Sequence, residues 1–185
     1  SEVAKILAAA KDLSQERYTM LLEYLNSIGQ PWRSWDQIPH PTGSLVLYPR
    51  AMQPQQFKAD GWTFSCHKSH KGNSGIQFKN PIGLTPLTGF IEEIWQMPLQ
   101  NHMQTFILVR THKALPNSLA ARTPFVSMPY FSVAAVDAAP SSELCVIEPR
   151  HIITHLTIYK RPKGTYGINR DILVVCWALN RGRHS

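Results

Sequence analysis

Acidic residues are scarce in this chain. Its 185 residues hold 12 Asp and Glu against 19 Lys and Arg, a formal net charge of +7. That balance excludes an acidic solvating segment and sets up a positive field that raises encounter rates with polyanions. Charge of either sign is sparse: charged residues make up 17%, below the roughly 25% usual for globular domains. With 43% apolar residues, the composition argues against disorder and suffices for one core without cross-links. Cysteine is limited to Cys66, Cys145 and Cys176. An odd number in separate contexts argues against a disulfide framework and for reduced thiols in an intracellular protein. Cys145 and Cys176 lie in strand-like apolar runs and are expected to be buried. Cys66, beside His67, Lys68 and His70, is expected to be the more reactive thiol. No apolar run approaches the ~18–20 residues of a membrane-spanning helix, so no membrane partner is expected. The opening segment reads as an amphipathic helix containing acids and not as a secretory leader.

What is present divides into three stretches of one expected domain, residues 1–185. In residues 1–30, Val3, Ile6, Leu7, Ala10 and Leu13 follow helical spacing, and Tyr18, Leu21, Leu22, Leu25 and Ile28 repeat it. Ser14 suits an N-cap, so two helices with a break near Asp12–Ser14 are expected, the second ending at Gly29 before Pro31. Residues 31–60 form a loop-rich crossing punctuated by prolines at 31, 39, 41, 49 and 54, with one short apolar run at 45–48. Residues 61–185 are strand-like, with runs at 62–66, 75–79, 89–97, 105–112, 131–136, 144–147, 152–159 and 172–179. The turns expected between them carry Lys71-Gly72-Asn73, Asn80-Pro81, Ala139-Pro140 and Pro162-Lys163-Gly164. The expected fold is mainly β, a partly open barrel or sandwich with an N-terminal pair of α-helices packed on one side or end.

Catalytic and metal-binding patterns are weak. Cys66, His67, His70, His151 and His155 supply zinc-type ligand atoms, but there is no Cys-x-x-Cys pair to gather them. His151 and His155, if both lie in one strand, share a face but stand well apart. Glu92 and Glu93 point to opposite strand faces and are expected in solvent. There is no Gly-x-Ser-x-Gly elbow, and Gly72-Asn73-Ser74-Gly75 lacks the P-loop spacing. The chain is therefore read as non-catalytic, with no metal and no cofactor; a zinc-dependent or nucleic-acid-processing enzyme is the distant alternative.

Recognition patterns are stronger. From Arg150 to Ser185 there are seven basic residues and one acid, which concentrates the charge excess at this end of the chain. Lys160, Arg161 and Lys163 are interleaved with Tyr159 and Tyr166 around a turn, and Arg170, Arg181 and Arg183 follow. Cations beside aromatic rings suit phosphate contact plus base stacking, or contact with an acidic partner. Lys68 and Lys71 make a second basic turn. Arg181-Gly182-Arg183 reads as a strand end, a linker or a minor-groove arm. Trp62, Trp95, Tyr130 and Trp177 are the candidates for a methyl-lysine cage.

A set of phrases runs along nearly the whole chain: Gly29-Gln30-Pro31-Trp32-Arg33, Ser69-His70-Lys71-Gly72-Asn73-Ser74-Gly75, Gly89-Phe90-Ile91-Glu92-Glu93-Ile94-Trp95, Ile147-Glu148-Pro149-Arg150-His151 and Gly164-Thr165-Tyr166-Gly167-Ile168. Together they resemble a domain of proteins encoded by basidiomycete fungal mobile elements, the later half being similar to a divergent bromo-adjacent-homology (BAH) barrel. The resemblance implies a β-rich, nuclear, transposon-derived chromatin module that binds nucleosomes, histone tails or partner proteins. It transfers no individual site residue. The expected function is a chromatin- or DNA-binding module whose partner is DNA, a nucleosome or a histone tail. The alternative is a protein–protein scaffold domain without nucleic-acid binding.

Overall fold

The computed structural model describes residues 2–29 and 31–177. Two compact units emerge, Ser1–Pro54 with Trp95–Phe106, and Gln55–Ile94 with Ile107–Ser185.

The first unit opens with helix α1 (Glu2–Ala9), strand β1 (Lys11–Asp12) and helix α2 (Gln15–Ile28). Ser14 caps α2: its backbone is extended and its hydroxyl accepts the Arg17 N–H at 3.3 Å, satisfying one of the donors a helix start leaves open. Spacing of three and four residues gathers Tyr18, Leu21, Tyr24 and Leu25 on the buried face, with Leu22 half-buried beside them. Tyr18 is both packing and anchor. Its hydroxyl donates to the Leu47 carbonyl at 2.8 Å and accepts the Trp35 N–H at 3.1 Å. That ties α2 to the parallel pair β2 (Trp32–Ser34) and β3 (Leu45–Leu47). Strand β4 (Arg50–Ala51) pairs with β1. Tyr24 meets Phe106 edge-on, ring centroids 6.1 Å apart.

The second unit carries a hairpin and a barrel. The hairpin is β5 (Gln56–Ala59) and β6 (Trp62–Ser65), joined by Asp60 and Gly61 at φ 50° and 80°. Two consecutive positive φ values define the two-residue turn whose twist matches a hairpin, which is why Asp-Gly stands there. The barrel strands are β7 (Gly75–Phe78), β8 (Leu87–Leu99), β9 (His102–Ala114), β10 (Val133–Ile147), β11 (Ile152–Arg161) and β12 (Ile172–Trp177). They close in the order β10-β12-β11-β7-β8-β9, so the fold is mainly β and its barrel is fully closed. Gly89 is required where β8 meets β9: a Cβ there would sit 2.4 Å from the Arg110 carbonyl oxygen.

Two expected strands, 131–136 and 144–147, are one strand. β10 runs through Ala139-Pro140, with register shifts against β9 between Val136 and Pro140 and again before Leu144. Bulges release the ladder at those points, and a proline without an N–H is tolerated in them. The last two residues of the expected strand 172–179 lie outside the described residues.

The main core of this unit joins the hairpin to the barrel: Phe57 and Phe64 stack at 5.2 Å and pack with Cys66, Ile76, Phe78, Ile91, Ile94, Ile107, Val109 and Ile147. Each fully buried aliphatic or Phe side chain contributes about 1.5–3 kcal/mol of transfer free energy. A smaller cluster of Leu115, Ile168 and Ile172 seats the short helix α3 (Asn117–Ala120).

Candidate nucleic-acid interface

β11 ends at Arg161 and β12 begins at Ile172, and the turn between them is built by its own polar groups. Gly164, Tyr166 and Gly167 all have positive φ. Thr165 donates its hydroxyl to the Pro162 carbonyl at 2.7 Å, and Gly164 N–H reaches the Ile168 carbonyl at 2.7 Å. Asp171 is the fastener. One carboxylate oxygen accepts the Lys163 backbone N–H at 2.9 Å, and the other lies 3.4 Å from the Lys160 ammonium. These two contacts hold its carboxyl below the ordinary range. Arg170 pairs with Asp137 at 2.8 Å. Burial raises the Asp137 carboxyl, but the Ala139 N–H and Arg170 outweigh it, leaving a net lowering. Arg122 donates to the Gly167 carbonyl at 2.9 Å, and Phe125 meets Tyr166 edge-on at 5.9 Å, so Tyr166 is partly engaged in packing.

The sequence-expected cations therefore separate into two kinds. Lys160 and Arg170 have carboxylate partners. Arg161, Lys163, Lys68 and Lys71 are exposed and form no ion pair among the described residues. Arg181 and Arg183 lie outside the described residues.

Topology brings the two basic turns to one end of adjoining strands. β7 and β11 are antiparallel, with His155 opposite Ile76. The turn carrying Lys68 and Lys71 thus leads into β7 beside the segment of β11 that runs on to Lys160 and Arg161. Along the strand axis the two turns are separated by about four residues, on the order of 13 Å.

That second turn holds a cluster the sequence did not reveal. Ser74 donates its only hydroxyl hydrogen to the Lys71 carbonyl at 2.7 Å, so the His67 Nδ1 contact at 3.0 Å must have His67 as donor. The His67 ring lies on Phe90, centroids 4.3 Å apart, and Phe90 faces His112 at 6.3 Å. His112 Nδ1 contacts the Thr88 hydroxyl at 3.1 Å, while its Nε2 is buried without a hydrogen-bond partner. Burial, with His67 nearby, pushes the His112 imidazole down to about 4, and burial with Lys71 nearby lowers His67. Two residues along β8 from Phe90, Glu92 is not free in solvent as expected. It is partly buried and pairs with Arg110 at 2.9 Å, and Arg110 also donates to the Ser141 carbonyl at 2.9 Å. These partners come from different strands, so only the assembled barrel displays them.

Several expectations change. Cys66 is 2% exposed and belongs to the core, and burial raises its thiol; Cys145 and Cys176 are the half-buried cysteines. Burial raises the Cys145 thiol as well, and Cys66 packs in the core with Phe57 and Phe64, so its flanking His and Lys do not set it apart as the exposed thiol. His151 sits in a 3-10 turn, its ring accepting the Glu148 N–H at 3.0 Å, while His155 is in β11 against Phe64 and Trp62. Among the described residues no three His, Cys, Asp or Glu side chains are grouped to hold a metal. Of the cage candidates, Trp95 is fully buried, Trp62 and Tyr130 are 62% and 95% exposed, and Trp177 is half-buried against the cluster of Val136, Leu156 and Val175. No described helix is long and apolar enough to cross a membrane.

Compared with known proteins, the chain matches no protein-family model, no curated protein and no solved structure.

Proposed function

We propose that this protein is a non-catalytic DNA- or chromatin-binding module that uses the basic end of its barrel to contact phosphates. The observation that supports the reading is the placing of two basic turns, one with Lys68 and Lys71 and one with Arg161 and Lys163, beside neighbouring strands β7 and β11 of a chain with net charge +7; these four side chains are exposed and form no ion pair among the described residues. Charge of this sign favours the phosphates of DNA or of a nucleosome over a basic histone tail. The resemblance to BAH-like barrels of mobile-element proteins supports a nuclear, chromatin setting.

Binding measured against salt tests the reading. Replacing Lys160, Arg161 and Lys163 together by Gln is expected to weaken DNA binding and to flatten log-affinity against log-salt by roughly 0.9 per lost phosphate contact. Arg161 and Lys163 account for most of the change, since Lys160 already faces Asp171. Melting should barely move, because exposed charges contribute on the order of 0–1 kcal/mol. An unchanged affinity and slope would sink the proposal.

A second reading, docking of a protein partner, is favoured by Val126, Met128, Tyr130 and Phe131, which are 62%, 45%, 95% and 64% exposed within six residues. Large apolar side chains gathered in that way mark interaction sites. This reading predicts partner binding that responds to substitutions at 126–131 and is indifferent to the basic turn.

A further inference from the structure

The ladder between β11 and β12 is unbroken from Leu156 opposite Trp177 to Arg161 opposite Ile172, so alternate residues of β11 take opposite faces. One face is apolar: Leu156 is buried and Ile158 half-buried, both packed with Val136 and Val175. The other presents His155, Thr157, Tyr159 and Arg161, and the last three are exposed. Trp62 extends this row, its ring meeting His155 edge-on at 5.5 Å while remaining 62% exposed; Tyr159 is 52% exposed. Successive same-face residues are about 7 Å apart, so His155 to Arg161 spans about 20 Å. The row therefore carries rings at Trp62 and Tyr159 and a cation at Arg161, with Lys163 in the turn that follows.

We propose that this row binds single-stranded nucleic acid in preference to duplex. The inference rests on the phosphate-contact reading above and names the form of nucleic acid it takes. A positive track with interspersed rings suits a strand whose bases are unstacked, because every base has a face that can lie on an aromatic side chain. In a duplex those faces are hidden against one another, and Trp62 and Tyr159 gain no stacking. Two solvent-facing rings on the face that carries Arg161, with Lys163 in the turn just beyond and neither cation in an ion pair among the described residues, are placed to use both halves of a single strand, its bases and its phosphates.

Anisotropy of the full chain with a labelled oligothymidine of about 12 nucleotides, and with a blunt duplex of the same length, tests this. The single strand is expected to bind about tenfold more tightly or better. Tyr159→Ala and Trp62→Ala are each expected to lower single-strand affinity roughly fivefold or more, with the salt slope unchanged, and Tyr159→Phe to retain it. Melting curves of the variants separate lost stacking from lost folding. If neither probe binds, the phosphate-contact reading falls and this inference with it. Duplex binding as tight as single-strand binding, or single-strand affinity indifferent to both ring deletions, overturns this inference alone.

Discussion

Turn 162–171, between β11 and β12, is fastened by a carboxylate, whereas turn 66–74, between β6 and β7, is fastened by neutral groups. In the first, Asp171 holds the Lys163 backbone and the Lys160 ammonium at the surface. In the second, the Cys66 side chain is in the core, Ser74 is buried, and His67, its pKa lowered by burial and by Lys71, lies on Phe90 within hydrogen-bond reach of Ser74. Two turns that each carry Lys and Gly thus differ in what they tolerate. The first is held by a surface carboxylate together with the buried side chain of Ile168. The second depends on burial and on the absence of charge.

Acid should break this symmetry most visibly. His112, beneath Phe90, titrates near 4 in the folded chain against 6.5 in the unfolded one. Between those values the unfolded chain binds more protons, so stability is full above pH 6.5 and is lost as pH falls toward 4. The shift corresponds to about 3 kcal/mol over that window, and His67, lowered in the same direction, adds to it. Urea unfolding at pH 7 and pH 4.5 measures the loss, and His112→Gln should flatten the dependence. Equal stability at both pH values would mean that the imidazole is not buried uncharged. Turn 162–171 behaves differently, since the depressed Asp171 carboxyl keeps its contacts through the same range and yields them only below the carboxylate pKa.

Substitution sharpens the contrast at neutral pH. Ser74→Ala removes a buried hydroxyl that serves both His67 and Lys71 and should cost about 1–3 kcal/mol, because it leaves buried polar atoms without partners. A melting curve identical to that of the parent chain would show that the turn is held otherwise. Asp171→Asn should have the smallest effect on folding and the opposite effect on binding. It frees Lys160 and adds one unit of positive charge, so DNA affinity at low salt should rise modestly and the salt slope steepen. A weakened or unchanged affinity would place Lys160 outside the phosphate-contacting surface.

Much of the fold was legible because local rules and tertiary packing agree. Ser14 stands where a cap is needed, and most of the strands read as short apolar runs such as 106–109 and Ile172–Trp177, set off by Gly and Pro turns. Ala139-Pro140 misled because a proline reads as a break, while the bulges that accommodate it depend on the register between β9 and β10. The hairpin signal at Asp60-Gly61 was present, but it lies at the edge of a proline-rich crossing that obscured β5. The basic turn was legible as charge; its division into cations with and without carboxylate partners was not, since Asp137 is 33 residues from Arg170. The His67–Phe90–His112 cluster joins a turn to two strands, and no spacing rule along the chain predicts that meeting.

The long hairpin of β8 and β9 has a consequence for where this chain can be cut. Its tip, Trp95–Phe106, turns at Gln100 and Asn101 and counts among the residues of the first unit, while its base supplies two barrel strands to the second. Linear order and folding unit therefore disagree. A fragment beginning at Gln55 would keep every barrel strand yet present Trp95, Met97 and Phe106, each 2% exposed or less in the whole chain, without the helices and short strands of residues 2–54. Such a fragment would inherit an adhesive arm. Residues 1–54 alone would lack the ring that Tyr24 rests on. The boundary between the units is thus not a place in the sequence at all, and neither half is a natural unit of exchange, deletion or insertion.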